Sequence, residues 1–394
     1  MVKIAFFANY PIKLTSLLHQ LASSHLDFAL LRSNPTGHTC KVENEFLLAL
    51  GSNENEKITS LDLVKDAWHF GWVEYAQTIP ARFNSCFFSP DELFHDLEIA
   101  SAYLNANSVG ANREIQSSSI NLVCETSKEE FIEKVTQIKQ HIRLGNIYEL
   151  NFCVKHSAEN VVINPALVFE KLNELSQAPY SVFARIGDRL VISASPERFM
   201  KKRGNNLTIE PMKGTARREK DGVSNLLAIS ALQTNEKERA ENIMIVDLTR
   251  NDLSRICIPG TVAVDELCKV YSFKNVNQMV SKVTGQLNKN YSLNQIFDAT
   301  FPMGSMTGAP KIRAMELINE FETFRRGTYS GSFGYAKPDG DFDFNVLIRT
   351  IFYDTSKKSL YFATGGAITI NSDPEKEWDE MMLKAETLKG SIGM

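Results

Sequence analysis

Strand-like segments follow one another along this chain, and their order constrains the fold more than any other feature. Residues 180–202 (YSVFARIGDRLVISASPERFMKK) and 205–215 (NNLTIEPMKGT) contain several strands in succession. Three further segments, at 328–336, 341–354 and 359–370, are separated only by short stretches rich in turn residues. Runs of neighbouring strands interrupted by helices are typical of α+β proteins. The sequence therefore predicts an α+β fold with largely antiparallel sheet, and not a doubly wound parallel one.

The helical segments have clear boundaries. Residues 127–145 begin with Ser127 at a cap position, followed three residues later by a glutamate, and end at a glycine. Residues 237–257 and 373–390 have the composition of long helices, and residues 308–324 form a helix with a proline in the first turn. A polar stretch that ends near residue 119 separates these motif-rich segments from the N-terminal part, so we expect a domain boundary near residue 120.

Composition excludes several classes of function. The 394 residues have a net charge of −4 and a pI near 6.1, which gives no general affinity for nucleic acid or anionic membranes. No apolar run approaches the roughly 18 residues that span a bilayer, and the N-terminal MVKIAFFANYPIKL fits a first strand better than a signal peptide. The six cysteines form no C-x-x-C pair. We therefore expect a soluble cytoplasmic protein with reduced thiols.

Histidine is missing where the other motifs are dense. All seven histidines lie at or before His156. Ser-His-Asp or Cys-His catalysis and histidine-bound zinc are therefore not expected in the second half of the chain. Chemistry there would use carboxylates, lysine, arginine, hydroxyls and the backbone.

Two pairs of glutamates have helical spacing. Glu238 and Glu241 lie three residues apart, as do Glu377 and Glu380. Such pairs share one face of a helix, where like charges cost a few tenths of a kcal/mol. A solvated charged face is the ordinary explanation. The alternative is that two helices each offer carboxylates to one hard cation such as Mg²⁺.

Three further features have two explanations each. Lys213, in EPMKGTARR, is either a turn lysine or an amine made nucleophilic by desolvation or by nearby cations. Arg349, in an otherwise apolar predicted strand, either faces solvent or binds a substrate carboxylate. The Gly/Ser/Thr loop within residues 301–317 precedes a helix, where free N–H groups favour an anion, although capping or packing is the more common role. Tyr329 is by default a core residue.

Eight segments, in this order, resemble the chorismate-utilising enzyme family, which includes anthranilate, isochorismate, salicylate and aminodeoxychorismate synthases. They are GNIYELN, SPERF, EPMKGT, RAENIMIVDLTRNDL, GSMTGAPK, TYSGSFGY, FNVLIRT and EWDEMMLKAE, within about Ser127 to the end. The resemblance implies two large, mostly antiparallel sheets packed as a sandwich, with helices outside and the active site in the cleft between the halves. It also implies a chorismate-binding catalytic domain over residues 121–394, to which an N-terminal subdomain of residues 1–120 adds strands.

The resemblance further implies one reaction within the family. Anthranilate synthases usually have alanine where Lys213 stands, whereas aminodeoxychorismate synthases usually have lysine. The implied activity is therefore that of aminodeoxychorismate synthase component I, which makes 4-amino-4-deoxychorismate from chorismate and ammonia on the route to 4-aminobenzoate and folate. Lys213 would attack C2 of the ring and form a covalent adduct, while Glu197 would protonate the departing 4-hydroxyl. Ammonia would then attack C4 and expel the lysine.

The resemblance assigns the remaining site residues by their motifs. Glu241 and Glu380 match direct ligands of Mg²⁺, and Glu238 and Glu377 match ligands that act through water. The residues that would contact the substrate are Tyr329 and Arg349, which match those that grip the enolpyruvyl carboxylate, together with Gly214, Thr215, Gly365, Gly366, Ala367 and Lys384.

Two positions depart from the family pattern, and one function is missing. Gln278 stands where the family commonly has histidine, and an amide cannot shuttle a proton at neutral pH. Ala367 stands where the family usually has glycine, and its methyl group narrows the space for the anionic substrate that this residue would contact. The chain shows no G-x-C-x-G elbow followed by a histidine, so a separate glutamine amidotransferase subunit would supply the ammonia.

Three alternatives remain open at this point. Anthranilate synthase component I is opposed mainly by Lys213. An isochorismate or salicylate synthase would need Glu149 as its base, at the position where those members have a lysine that activates water. A weakly active scaffold that binds a glutaminase is supported only by Gln278.

Overall fold

Antiparallel strands dominate the computed structural model, which describes residues 11–33, 46–52, 57–75, 84–107, 119–288 and 291–394. The strands are β1 (Asp27–Arg32), β2 (Phe46–Gly51), β3 (His69–Val73), β4 (Ser85–Phe88), β5 (Glu92–Phe94), β6 (Val123–Cys124), β7 (Glu149–Ala158), β8 (Tyr180–Ile186), β9 (Arg189–Ser195), β10 (Arg198–Arg203), β11 (Asn206–Ile209), β12 (Met212–Arg217), β13 (Ala263–Ser272), β14 (Val276–Gln286), β15 (Gly308–Ala309), β16 (Ser332–Ala336), β17 (Phe342–Asn345), β18 (Thr350–Asp354) and β19 (Ser359–Ile368).

The helices lie mostly between groups of strands. They are α1 (Pro11–Ser23), α2 (Leu97–Ala106), α3 (Lys128–Arg143), α4 (Pro165–Ser176), α5 (Gly222–Thr234), α6 (Glu236–Ser254), α7 (Leu293–Thr300), α8 (Lys311–Phe321) and α9 (Pro374–Ser391), with 3₁₀ turns at Leu61–Leu63 and Gly304–Met306. Ser127 caps α3 as predicted, because its side chain accepts a hydrogen bond from the backbone N–H of Glu130 at 3.2 Å.

The strands form two sheets. Sheet A has the order β15-β7-β19-β18-β9-β8-β1-β2-β5, with β6 beside β7, and sheet B has the order β12-β14-β11-β10-β17-β16-β3-β4, with β13 beside β14. The pairings described within both sheets are antiparallel. The predicted α+β class with antiparallel sheets is therefore confirmed.

The main core lies between the two sheets. Trp72 and Phe344 of sheet B share one buried apolar cluster with Val182 and Val191 of sheet A. A second cluster covers the outer face of sheet A, where Phe169 of α4 stacks on Phe183 of β8 with ring centroids 5.2 Å apart. Sheet A is therefore covered on both faces, and β8 and β9 are buried along nearly their whole length.

The N-terminal part supplies strands to both sheets. β1, β2 and β5 extend sheet A, whereas β3 and β4 extend sheet B. A domain boundary near residue 120 stays a prediction. The strand predicted for the apolar run before Pro11 lies outside the described residues, and α1 begins at Pro11. In the described part of the chain, the helices are all too short or too polar to cross a membrane.

Candidate active site

The chain crosses between the sheets at two adjacent points, and each crossing positions a candidate residue. Glu197 lies between β9 of sheet A and β10 of sheet B, while Arg349 lies between β17 of sheet B and β18 of sheet A. The backbone N–H of Val346 donates to the carbonyl of Glu197 at 3.0 Å, which ties the two crossings together. The single strand predicted over residues 341–354 is therefore wrong, because the chain changes sheets within it.

Lys213 joins the two sheets by an ion pair. Its Nζ, on β12 of sheet B, lies 3.0 Å from Oε1 of Glu149, at the start of β7 in sheet A. The side chains of Lys213 and Glu149 are only 12% and 0% exposed. Asn242 of α6 donates from Nδ2 to the carbonyl of Lys213 at 3.4 Å. Lys213 is therefore a half-buried residue with a largely enclosed side chain that is held from three elements, and not a solvated turn lysine.

The charge around Lys213 differs from the sequence expectation. Burial by itself lowers the pKa of the amine, but the carboxylates of Glu149, Glu241 and Glu197 outweigh it, and the pKa is raised. Nearby arginines do not lower it: Arg218, for example, donates to the carbonyl of Phe273. The resting side chain is therefore an ammonium ion.

Glu197 has the properties of a general acid. Its side chain is 5% exposed, and burial raises its pKa to about 7, although the hydroxyl of Ser305 and the charge of Lys213 both lower it. Ser305 donates from Oγ to Oε1 of Glu197 at 2.7 Å. A carboxyl group that titrates near neutral pH can donate a proton that an ordinary glutamate has already lost.

The Gly/Ser/Thr loop packs into the fold, which is the more common of the two roles considered for it. Its turn at Gly304–Met306 is followed by β15, which pairs with β7, and α8 begins only at Lys311. A short strand therefore separates the turn from the N-terminus of α8, and anion binding at this loop stays untested. Its clearest contribution to the site is the hydroxyl of Ser305, which is hydrogen-bonded to Glu197.

A buried cation holds this loop in place. Arg326 is fully buried and pairs with Glu322 at 2.6 Å. Its guanidinium also donates to the carbonyl of Met306 at 2.6 Å and to that of Asn151 at 2.8 Å. Arg326 therefore links the Ser305 loop to β7, the strand on which Glu149 lies.

The two glutamate pairs lie on different helices at the cleft. Glu238 and Glu241 are on α6, which packs on β12 and β14, whereas Glu377 and Glu380 are on α9, which packs on β19. Burial raises the pKa of Glu241 to about 7. Burial also raises the pKa of Glu238, and the charges of Glu380 and Glu377 contribute to that rise. The two pairs therefore lie within electrostatic range of each other.

These carboxylates fit a hard cation in their chemistry. Oε1 of Glu241 is buried and accepts no hydrogen bond from any described residue, and the Nζ of Lys237 is 3.8 Å from it. An oxygen-only donor set with one unsatisfied buried oxygen suits Mg²⁺. Among the described residues, however, no three His, Cys, Asp or Glu side chains lie close enough to form a ready metal site. The carboxyl groups would have to move toward a common centre on binding.

Glycines permit close approach on both sides of the cleft. Gly214 has φ +91°, and a Cβ there would lie 3.1 Å from Oε2 of Glu238. On β19, a Cβ at Gly365 would lie 2.5 Å from Sγ of Cys153, whereas at Gly366 it would lie 3.4 Å from Oε2 of Glu377. Both Gly214 and Gly366 therefore border the glutamates of the predicted metal set.

The other predicted substrate contacts are distributed around these glycines. Lys384 of α9 donates from Nζ to the carbonyl of Gly365 at 3.0 Å and pairs with Glu380 at 2.9 Å. Ala367 continues β19 opposite Asn151 of β7, and Thr215 is exposed on β12. The structure thus places all of them on strands or helices that border the cleft.

Arg349 and Tyr329 lie in different environments. Arg349 has φ +50°, and burial lowers the pKa of its guanidinium. Within the described ranges it forms no ion pair and no side-chain hydrogen bond. Tyr329 is buried in the core between the sheets, and its hydroxyl donates to Sγ of Cys153 at 3.7 Å. The structure therefore offers a free guanidinium, while the contact of Tyr329 with a substrate stays a prediction.

Gln278 is buried on β14, opposite Thr215 of β12. Its Oε1 accepts no hydrogen bond from the residues that the structure describes. An amide with a free acceptor can orient a donor group of a ligand, as the sequence suggested.

Sequence reasoning missed several residues of this site. The hydrogen bond of Ser305 to Glu197, the ion pair of Glu149 with Lys213, and the network of Arg326 all join segments that are distant in the chain. The GSMTGAPK segment did draw attention to the loop that contains Ser305, although the pattern indicated backbone N–H groups and not a hydroxyl. No local pattern indicates the other two.

Comparison with known proteins gives a consistent result. Residues 55–390 match the family model described as chorismate binding enzyme. The chain is 36% identical to aminodeoxychorismate synthase component 1 of Bacillus subtilis over 66% of this chain and 55% of that protein. It is 39% identical to a probable chloroplastic aminodeoxychorismate synthase of Oryza sativa over 72% of this chain and 32% of that protein. The matched part thus spans between a third and a little over half of these relatives.

Other similarities extend across the family. Anthranilate synthase component 1 of Saccharolobus solfataricus is 33% identical over 78% of this chain and 73% of that protein. The menaquinone-specific isochorismate synthase of Escherichia coli superposes with a TM-score of 0.78 at 19% identity, over 95% of this chain and 91% of that one. Anthranilate synthase component I of Streptococcus pneumoniae superposes with a TM-score of 0.72 at 22% identity, over 98% of this chain and 94% of that one. At these identities the two structures show a shared fold.

Proposed function

Because this chain belongs to the chorismate binding enzyme family, we propose that it converts chorismate and ammonia to 4-amino-4-deoxychorismate, as component I of an aminodeoxychorismate synthase. The main support is Lys213, whose side chain is largely enclosed in the cleft, with the carboxyl group of Glu197 close enough to influence its pKa. The names of the Bacillus subtilis and Oryza sativa relatives support the same activity.

The first half of the proposed reaction breaks one bond and forms another. The neutral amine of Lys213 attacks C2 of the ring, the double bonds shift, and the C4–O bond breaks. Glu197 protonates the departing hydroxyl, which leaves as water. Since its pKa is about 7, a substantial fraction of Glu197 is protonated at neutral pH.

The second half returns the enzyme to its starting state. Ammonia attacks C4, the C2–N bond to Lys213 breaks, and the amine is released. The new C4 ammonium gives one proton back to Glu197. Two displacements thus replace one direct substitution, and the enolpyruvyl group is retained. The free guanidinium of Arg349 would bind a substrate carboxylate by two parallel hydrogen bonds.

The proposal includes Mg²⁺. Glu241 and Glu380 would hold the ion directly, and Glu238 and Glu377 through water. When bound, the ion offsets the charge of these carboxylates and of the ring carboxylate. The unsatisfied buried oxygen of Glu241 supports this assignment.

The proposal also includes a partner and a location. Ammonia would come from a separate glutamine amidotransferase subunit, since relatives of this chain are named as a component 1. The enzyme would act in the cytoplasm, where the described cysteines, all of them free, would stay reduced.

Anthranilate synthase component I is the second candidate. The Saccharolobus solfataricus protein of that name matches over most of its own length, which favours this alternative. Lys213 opposes it, because amination at C2 needs that carbon free of an enzyme nucleophile. An anthranilate synthase releases pyruvate, whereas the proposed reaction does not.

The test is a product assay with chorismate, Mg²⁺ and an ammonium salt. We expect 4-amino-4-deoxychorismate without pyruvate from the wild type, and a loss of about 10³-fold or more in Lys213→Ala, as for removal of other covalent nucleophiles. Lys155→Ala is the matched control, since Lys155 also pairs with a glutamate, at 2.8 Å, but away from the cleft. Formation of anthranilate, or full activity of Lys213→Ala, would contradict the proposal.

A further inference from the structure

Glu149 places a carboxylate against the amine that the proposed reaction needs. Its side chain is 0% exposed, and its Oε1 lies 3.0 Å from Nζ of Lys213. No described residue other than Lys213 donates to either oxygen of Glu149. A buried carboxylate with a single polar partner is costly, and it is expected to have a function.

A lysine must lose a proton before it can attack carbon. Lys213 is faced by Glu149 from β7, by Glu241 from α6 and by Glu197 from the crossing after β9, and these carboxylates keep it charged. Glu197 has to be protonated to act as the acid. Glu241 belongs to the proposed metal set and forms no ion pair with Lys213 within 4 Å. Glu149 is the carboxylate that remains, within direct proton-transfer distance.

We propose that Glu149 is a further catalytic residue, the base that takes a proton from Lys213 before the attack on C2 and returns it after the lysine is released. This inference rests on the proposed function. It assigns to Glu149 a different role from that of a base that activates water.

The proton balance closes within the site. Lys213 and Glu149 begin as ammonium and carboxylate, and transfer gives amine and carboxylic acid. After attack at C2, the nitrogen of the adduct is a secondary ammonium, while Glu197 has given its proton to the departing hydroxyl. When ammonia displaces the lysine, the free amine recovers its proton from Glu149, and Glu197 recovers one from the product. The sum is chorismate plus ammonia giving aminodeoxychorismate plus water.

The contrary role for Glu149 predicts the opposite effect. If Glu149 only holds Lys213 as an ammonium ion, then its removal lowers the pKa of the lysine and speeds the attack. If Glu149 accepts the proton, its removal leaves a buried ammonium without a neighbouring base, still held charged by Glu197 and Glu241. The direction of the rate change therefore separates the two roles.

The experiment measures adduct formation on the intact chain with chorismate and Mg²⁺ but without ammonia. The wild type should gain the mass of chorismate less one water, on Lys213. In Glu149→Gln, which keeps the shape but cannot accept a proton, we expect the rate of this mass gain to fall by about 10²-fold or more with little change in chorismate affinity. Glu149→Ala should be slow as well, and formate, which can enter the vacated space as a base, should restore its rate at least tenfold, whereas chloride should not.

Matched variants complete the test. Glu125→Gln removes a carboxylate from a lysine pair near the other end of β7 and should leave the rate unchanged. If Glu149→Gln does not fold, Glu149→Asp, which keeps a carboxylate, should form the adduct at an intermediate rate. If adduct forms at an unchanged or higher rate in the Glu149 variants, or if formate does not restore the rate, this inference is overturned and the proposed function is not. If the wild type forms neither adduct nor product, both the proposed function and this inference are overturned.

Discussion

At the residue scale, burial and one hydroxyl set the chemistry of Glu197. Burial raises its pKa, and the hydrogen bond from Ser305 moderates that rise, so the group titrates at about 7. An acid catalyst works in its protonated form, which is lost as the pH increases through this value. The same carboxyl group on an exposed strand would be ionised at every pH at which the enzyme is tested.

The first prediction concerns this titration. With free ammonia held constant, kcat/KM for chorismate should decline as the pH rises through about 7, because kcat/KM reports the ionisation of the free enzyme. Glu197→Gln should lack this decline and should be slower by about 10²- to 10⁴-fold. Ser305→Ala is the control: without its hydroxyl the pKa of Glu197 rises further, so the decline should move to higher pH. A Ser305→Ala profile displaced to lower pH would contradict the assignment.

The second prediction concerns Arg349, whose guanidinium has no partner in the described structure. Arg349→Lys keeps the charge but cannot form two parallel hydrogen bonds to a carboxylate. A charge-assisted hydrogen bond contributes about 1.5–3 kcal/mol, so KM for chorismate should rise roughly 10- to 100-fold. Steady-state kinetics measures this, with kcat expected to change much less. Equal KM values in the two proteins would show that Arg349 does not contact the substrate.

The sequence reveals which residues belong to the site, but it does not reveal which residues surround them. That Lys213 and Glu197 belong to one site could be predicted, because each lies in a recognisable motif. The partners that set their ionisation could not, since Glu149 and Ser305 reach them only when the two sheets pack. The alternative in which nearby cations lower the pKa of Lys213 is not supported for this reason: the charged groups near it in space are carboxylates.

At the element scale, the pairing of β19 with β7 brings glycines to the cleft. Gly365 and Gly366 lie opposite Cys153 and Phe152. A Cβ at Gly365 would meet Sγ of Cys153 and the carbonyl of Phe152, both at 2.5 Å, whereas a Cβ at Gly366 would have its nearest neighbour at 3.4 Å. Gly365 is therefore needed for the close packing of the two strands, whereas Gly366 leaves open space in the cleft.

The third prediction uses this difference. Gly365→Ala should reduce the free energy of unfolding by about 1–3 kcal/mol, as overpacking does, and the clash with a backbone carbonyl leaves no side-chain movement that relieves it. Gly366→Ala should unfold at nearly the wild-type denaturant concentration but bind chorismate more weakly, because the methyl group enters the cleft. Urea unfolding and steady-state kinetics measure the two effects. Equal stabilities of the two variants would contradict this account.

The elements themselves were largely predictable. A capping serine and a terminal glycine indicated α3, and composition indicated α6 and α9, since these signals are local. The break between β17 and β18 was not predictable, because residues 341–354 contain no glycine or proline and such a run continues a strand by default. The left-handed backbone conformation of Arg349 lies where the chain passes from sheet B to sheet A, and this change of sheet is visible only in the structure.

At the scale of the whole molecule, each sheet supplies half of the site. Sheet B and its helix α6 provide Lys213 and Glu241, while sheet A and its helix α9 provide Glu149 and Glu380. Apart from the apolar core, the Lys213 ion pair is a direct polar link between these halves at the cleft. A cation held by both helices would be a second link.

The fourth prediction follows from that arrangement. Mg²⁺ should raise the melting temperature. At a concentration of one hundred times its dissociation constant, the ion should add about 2.7 kcal/mol to the free energy of unfolding. Because burial raises the pKa of Glu241 to about 7 and the ion binds the carboxylate form, this gain should be larger at pH 8 than at pH 6. Glu241→Gln should abolish the shift, whereas Glu236→Gln, at the exposed start of α6, should preserve it. A shift of equal size in Glu241→Gln would place the cation elsewhere, and the two helices would then have no metal in common.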